Sequence, residues 1–80
     1  MTTIAAERVE QIVYKALESF GADPSEFSAE TTFEKLDIDS LDLAELAQVV
    51  EEECGVQLKG EDMKQIRTIG DAIDVIVSKA

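Results

Sequence analysis

The sequence predicts an all-α fold: a small four-helix bundle of three main helices and one short helix, with a long first loop. Three observations carry this. Three stretches repeat apolar residues at steps of three and four, the period of one helix face. The chain has one proline, no tryptophan and 5% aromatic residues, which disfavours a β-sandwich with its many turns and β-formers. Its 80 residues fit one small domain, so residues 1–80 are read as a single unit. No helix of this kind buries its stripe alone, and a compact bundle is the natural solution.

The first helix is expected from Ile4 to Phe20. Val9, Ile12, Val13, Ala16, Leu17 and Phe20 repeat at three and one. Thr3 is placed as its N-cap, and Gly21 stands where a helix end takes a left-handed residue. The segment "GADPSEFSAETTFEKLDID" follows, rich in turn formers. Phe27, Phe33, Leu36 and Ile38 have no sustained period and are expected to pin this loop to the core. Thr31 and Glu34 are spaced to cap one short turn. So long a loop in so small a domain is often functional.

The second helix is expected over Ser40–Cys54, capped by Asp39 and stopped by Gly55. Asp42 in its first turn complements the helix dipole. Leu43, Leu46, Ala47, Val50 and Cys54 form the face turned to the core. "VQLKG" reads as an extended linker with Val56 and Leu58 pointing inward, and "EDMKQI" as the short helix. Thr68 with Asp71 makes a capping box for the last helix, whose stripe is Ile69, Ala72, Ile73, Ile76 and Val77.

A formal net charge of -11 sets limits on function. It argues against nucleic-acid binding, which needs lysine and arginine on phosphates, and against docking on anionic membranes. It keeps copies of the chain apart, so a monomer is expected, and it steers the chain towards basic surfaces. No stretch reaches the length of a membrane span. The N-terminal residues lack the basic start and apolar run of a signal peptide, so a cytoplasmic protein is expected. Cys54, the single cysteine, forms no internal disulfide and builds no zinc site without histidine or several carboxylates.

The stretch "LDIDSLDLAEL", Leu36 to Leu46, raises the question of chemistry. Ser40 lies at a helix start after a long loop, a place that presents side chains. One reading makes Ser40 or Asp39 simply the helix cap. A catalytic reading fails on inventory, because a serine nucleophile needs a base and the chain has no histidine. The S-x-x-K and G-x-S-x-G spacings are absent as well. Asp37, Asp39 and Asp42 resemble the opening of a calcium loop. Leu41, Asp42 and Gln48 then occupy its fifth, sixth and twelfth positions, where a ligand, glycine and glutamate belong, so no metal site is expected. A third reading makes the hydroxyl an acceptor that another protein modifies.

The charge pattern bears on that third reading. Leu36 to Leu58 holds seven acidic residues and no lysine or arginine. Asp42, Glu45, Gln48 and Glu52 fall along one helix stripe, with Glu51 beside it, all expected exposed. Such a stripe beginning at the serine suits a docking strip for basic partners. Leu41 is off the buried stripe and reads either as an apolar contact for a partner or as a partly buried packing residue.

With "DSL", "DLAEL" and "VVEEECGV" in this order, after "TTFEKL" and before "TIGDAIDVI", the chain resembles the acyl carrier proteins over essentially its whole length. The resemblance implies a carrier and not an enzyme. It implies that Ser40 bears a covalent 4′-phosphopantetheine group, placed there by a phosphopantetheinyl transferase. The chain would hold growing acyl chains as thioesters on that arm. It would shuttle this cargo between acyl-processing enzymes with basic docking patches, in fatty-acid or polyketide biosynthesis. Partner contacts would fall on Asp39, Leu41, Asp42, Glu45, Gln48, Glu51 and Glu52, and Leu46 and Val50 would line the space for cargo. The chain departs from the family's common pattern at Gln48, at Cys54 and in "LKGED", which bears on cargo and partner choice. The alternatives are a peptidyl or aminoacyl carrier, and an acidic helical adaptor in which Ser40 is only a cap.

Overall fold

Four helices build the chain in a computed structural model that describes residues 6–79: α1 (Ala6–Ser19), α2 (Ser40–Cys54), α3 (Gly60–Gln65) and α4 (Ile69–Lys79). The all-α bundle is therefore as the sequence predicts, and the described residues hold no strand beyond one isolated bridge. The expected cap at Thr3 lies outside the described residues.

α1 forms because its apolar stripe matches the helix period, and Val9, Ile12, Val13, Ala16 and Leu17 are all buried. It packs against both α2 and α4 and is the centre of the bundle. It ends at Ser19, one residue before Phe20, and the chain reverses at Gly21 with φ 98°. Leu46 and Val50 enter the core from α2, and Ile69, Ala72 and Ile76 enter from α4. Leu43, Ala47 and Cys54, expected on the buried face of α2, are only half-buried. They lie at the margin of the stripe, where no neighbouring helix covers them fully.

The long loop is ordered by its apolar residues, as expected. Phe33, Leu36 and Ile38 are buried, and the Phe27 ring meets that of Tyr14 on α1 at 4.9 Å between centroids. A 3₁₀ turn over Pro24–Glu26, capped by Asp23, begins the loop. The expected Thr31–Glu34 cap is corrected by one residue. Thr32 Oγ1 accepts the Lys35 N–H at 3.1 Å, while Thr31 is buried and donates its hydroxyl to the Glu26 carbonyl at 2.7 Å. Alternation decides this: neighbouring residues of an extended stretch point to opposite sides, so only one of the two faces solvent.

Backbone bonds then tie the loop to the start of α4. Phe33 N–H donates to Arg67 O, Ile69 N–H to Thr31 O and Gly70 N–H to Ala29 O, each at 3.0 Å. This approach needs glycine at 70, because a Cβ there would sit 2.8 Å from the Ala29 carbonyl oxygen. The Thr68–Asp71 capping box forms as expected. Asp71 N–H donates to Thr68 Oγ1 at 3.0 Å, and Asp71 Oδ2 accepts from Thr68 N–H at 3.2 Å.

Candidate functional site

The candidate site is built where the loop meets α2. Residues 33–37 form a turn in which Ile38 N–H reaches back to the Phe33 carbonyl at 2.9 Å. Asp37 takes the left-handed conformation, φ 59°, that a short polar side chain tolerates better than most. The turn buries Ile38 and delivers Asp39 in extended conformation at the helix start. Asp39 Oδ1 then accepts the Asp42 N–H at 3.0 Å, capping α2. Gly55 closes the other end in the left-handed region, φ 71°.

The capping bond assigns the cap to Asp39 of the two candidates. Asp39 supplies the cap, so the Ser40 side chain is not needed for it. Ser40 stands as the first helical residue, exposed. Leu41 beside it is 74% exposed, a large apolar side chain standing in solvent rather than packed. Glu45, Gln48, Glu51 and Glu52 are exposed along the helix, as expected, but Asp42 is half-buried. It stands four residues before the buried Leu46, beside the core-facing stripe of the helix. Among the described residues no group of three or more histidine, cysteine, aspartate or glutamate side chains converges to hold a metal.

Ser40 opens onto an apolar cleft of about 440 Å³ between α2 and α3. Leu43, Ala44 and Ala47 form one wall, and Leu58, Met63 and Lys64 form the other. Ala44 and Ala47 leave room because their side chains end at Cβ. Leu43 also lines a second cleft of about 560 Å³, shared with Phe33, Ile38, Ile66 and Arg67. Leu46 and Val50, expected to line a cargo space, are shut in the core at 2% and 0% exposure. The open space lies one helix face away from them. The sequence reading missed Leu58, Met63 and Lys64 as cleft residues, because the cleft joins two elements with no shared spacing.

Cys54 lies at the far end of α2. Burial, then the neighbouring Glu53, pushes its thiol pKa up, with Arg8 opposing, so the protein's own sulfur is protonated at neutral pH. Near Ser40 the structure places an exposed hydroxyl and a largely apolar cleft beside it.

The sequence profile of the family described as "Phosphopantetheine attachment site" matches residues 8–76. The chain belongs to the acyl carrier protein family. An acyl carrier protein of Solidesulfovibrio magneticus is 40% identical over 75 residues, covering 92% of each chain. Acyl carrier protein 2 of Ralstonia nicotianae is 40% identical over 62 residues, 76% of each chain. The crystal structure of an acyl carrier protein from Thermotoga maritima superimposes with a TM-score of 0.76 at 30% identity. That match covers 91% of this chain and 86% of the other. Members of this family carry 4′-phosphopantetheine, work with acyl-processing enzymes and bear acyl cargo; they are carriers rather than catalysts. The fit to that group rests on the exposed serine, freed from capping, at the mouth of an apolar cleft.

Proposed function

We propose that Ser40 is the attachment residue and that the chain shuttles acyl groups between enzymes of fatty-acid or polyketide biosynthesis. The observation that carries the reading is the division of labour at the start of α2. Asp39 caps the helix, and the Ser40 hydroxyl faces solvent beside the cleft.

Loading follows from the inventory. Ser40 Oγ attacks the β-phosphorus of coenzyme A, the new P–O bond forms and the diphosphate bridge breaks. Adenosine 3′,5′-bisphosphate leaves. The serine proton passes to a base of the phosphopantetheinyl transferase, since this chain has no histidine to accept it. When bound, the arm supplies a terminal thiol that carries acyl groups as thioesters. The N-terminus of α2 favours an anion at that position, while Asp39 and Asp42 oppose it.

The exposed acids do the steering. Glu45, Glu51 and Glu52, with Asp39 and Asp42 at the serine end, meet basic docking patches, and Gln48 and Leu41 supply uncharged contact. Charge-steered docking of this kind gives fast encounter, and few buried contacts give fast release. The same reading makes the chain a monomeric, single-domain cytoplasmic carrier and not an enzyme.

The test is intact mass after incubation with coenzyme A, magnesium and a broad-specificity transferase. The expected result is a gain of one phosphopantetheinyl group, abolished in Ser40→Ala. A Ser40→Ala protein that still gains the group sinks the site assignment.

A further inference from the structure

The cleft beside Ser40 is apolar except at its mouth, where Lys64 of α3 lines it together with the serine. Lys64 is the one cation among those lining residues. From Leu36 to Leu58 the chain has no lysine or arginine at all, so positive charge reaches this side of α2 only from other elements. Among the described residues the ion pair within 4 Å joins Lys79 to Asp62, and Lys64 takes no part in it. A lysine placed so lays its four-carbon stem along apolar surface and keeps its ammonium in water. Leu58 and Met63 line the same cleft as Lys64.

We propose that Lys64 is a positioning residue for the arm. Its ammonium pairs with the phosphodiester on Ser40 and directs the arm over the α2–α3 cleft rather than out into solvent. The inference rests on the attachment of the arm at Ser40. Asp39 and Asp42 repel the same phosphodiester from the α2 side, and α3 carries Glu61 and Asp62 in its first turn, the latter paired with Lys79; Lys64 is the cation that lines the cleft with Ser40. The part of the arm next to the phosphate, with its geminal methyl groups, is thereby held near Leu58 and Met63 in the same cleft.

The experiment uses the loaded protein, with attachment at Ser40 verified by intact mass for every variant. Nuclear Overhauser contacts are measured between the arm's geminal methyl groups and the methyls of Met63 and Leu58. They are expected in the wild-type chain, retained in Lys64→Arg, and weakened about threefold in Lys64→Gln, the population change an exposed charge pair supports. Molar salt, where the screening length is about 3 Å, is expected to weaken the wild-type contacts towards the Lys64→Gln level. Melting of the unloaded Lys64→Gln protein is expected to match wild type, because the side chain is exposed. Equal contacts in wild type and Lys64→Gln overturn the proposal while leaving Ser40 in place. Equal loss in Lys64→Arg and Lys64→Gln overturns it too, since charge is then not the cause. Absence of the arm from the wild-type chain defeats the Ser40 reading itself, and the mass spectrum alone reports that.

Discussion

α3 and α4 follow one another in the chain and are held in opposite ways. α4 buries Ile69, Ala72 and Ile76, is closed by the Thr68–Asp71 box, and receives the long loop through three backbone bonds. α3 has no fully buried residue. Met63 is half-buried, and the side-chain contacts that fasten the helix run through Asp62 in its first turn. Asp62 Oδ2 accepts the Lys59 N–H at 2.9 Å and meets Lys79 Nζ at 2.8 Å. The difference places yielding structure next to the cleft and firm structure behind it. Segments with few buried apolar contacts open at low free energy, so α3 is the wall of the cleft that moves most easily.

The sharpest way to break this comparison is a pair of truncations. Ile76→Ala removes a fully buried side chain from the core and is expected to destabilise by about 2–5 kcal/mol. Met63→Ala is expected to reduce stability by about 1 kcal/mol or less, because the cleft side of Met63 is already solvated. Denaturant titration of both variants decides it, and equal losses would end the distinction. Next in size is Gly70→Ala. Its new Cβ would meet the Ala29 carbonyl oxygen and must push the loop aside, at about 1–3 kcal/mol. Because that loop leads into α2, amide shifts in the variant are expected to spread from residue 29 to Ser40 while α3 stays unmoved.

The smallest effect concerns the fastening of α3. Hydrogen bonding from Lys79, then from the Lys59 backbone, holds the Asp62 carboxyl below its ordinary range. A depressed carboxylate contributes stability that is complete above its ordinary pKa and is lost as pH falls through the lowered one. Lys79→Gln is therefore expected to speed hydrogen exchange in α3 at neutral pH. The gap from wild type should close in acid below about pH 4, near the ordinary aspartate value. A gap that persists unchanged in acid would mean the ion pair is not what fastens the helix.

Where the chain signals its own structure, the signal is local. Asp39 and Gly55 bracket α2 because a cap and a left-handed stop are each written in one residue. Thr68 and Asp71 announce α4 in the same way. The loop is legible only as apolar residues that must be buried somewhere. Its attachment to α4 runs through backbone groups, which every residue has, so no side-chain pattern marks it. The Thr31–Thr32 exchange has the same root: two adjacent threonines carry the same chemistry, and only tertiary contact tells them apart. At the candidate site, the serine and its cap were legible because they are neighbours in sequence. The cleft was not, because Leu58, Met63 and Lys64 reach it from beyond α2. Periodicity placed Leu46 and Val50 on the core face, where they are; the cargo space that the family resemblance implied for them lies elsewhere.

The antiparallel bridge between Thr32 and Thr68 has an expected consequence for the order of assembly. It joins residues nearly half the chain apart, whereas each helix forms from neighbours. Closing so wide a span has an entropic cost that must be met before its contacts contribute, so such pairings come late. The turn that delivers Ser40 hangs from that bridge. During synthesis the serine thus leaves the ribosome well before it acquires its final setting, which waits until the residues around Gly70 have emerged. On this reasoning a chain still incomplete at its last helix is expected to hold the serine in its sequence but not yet in its place.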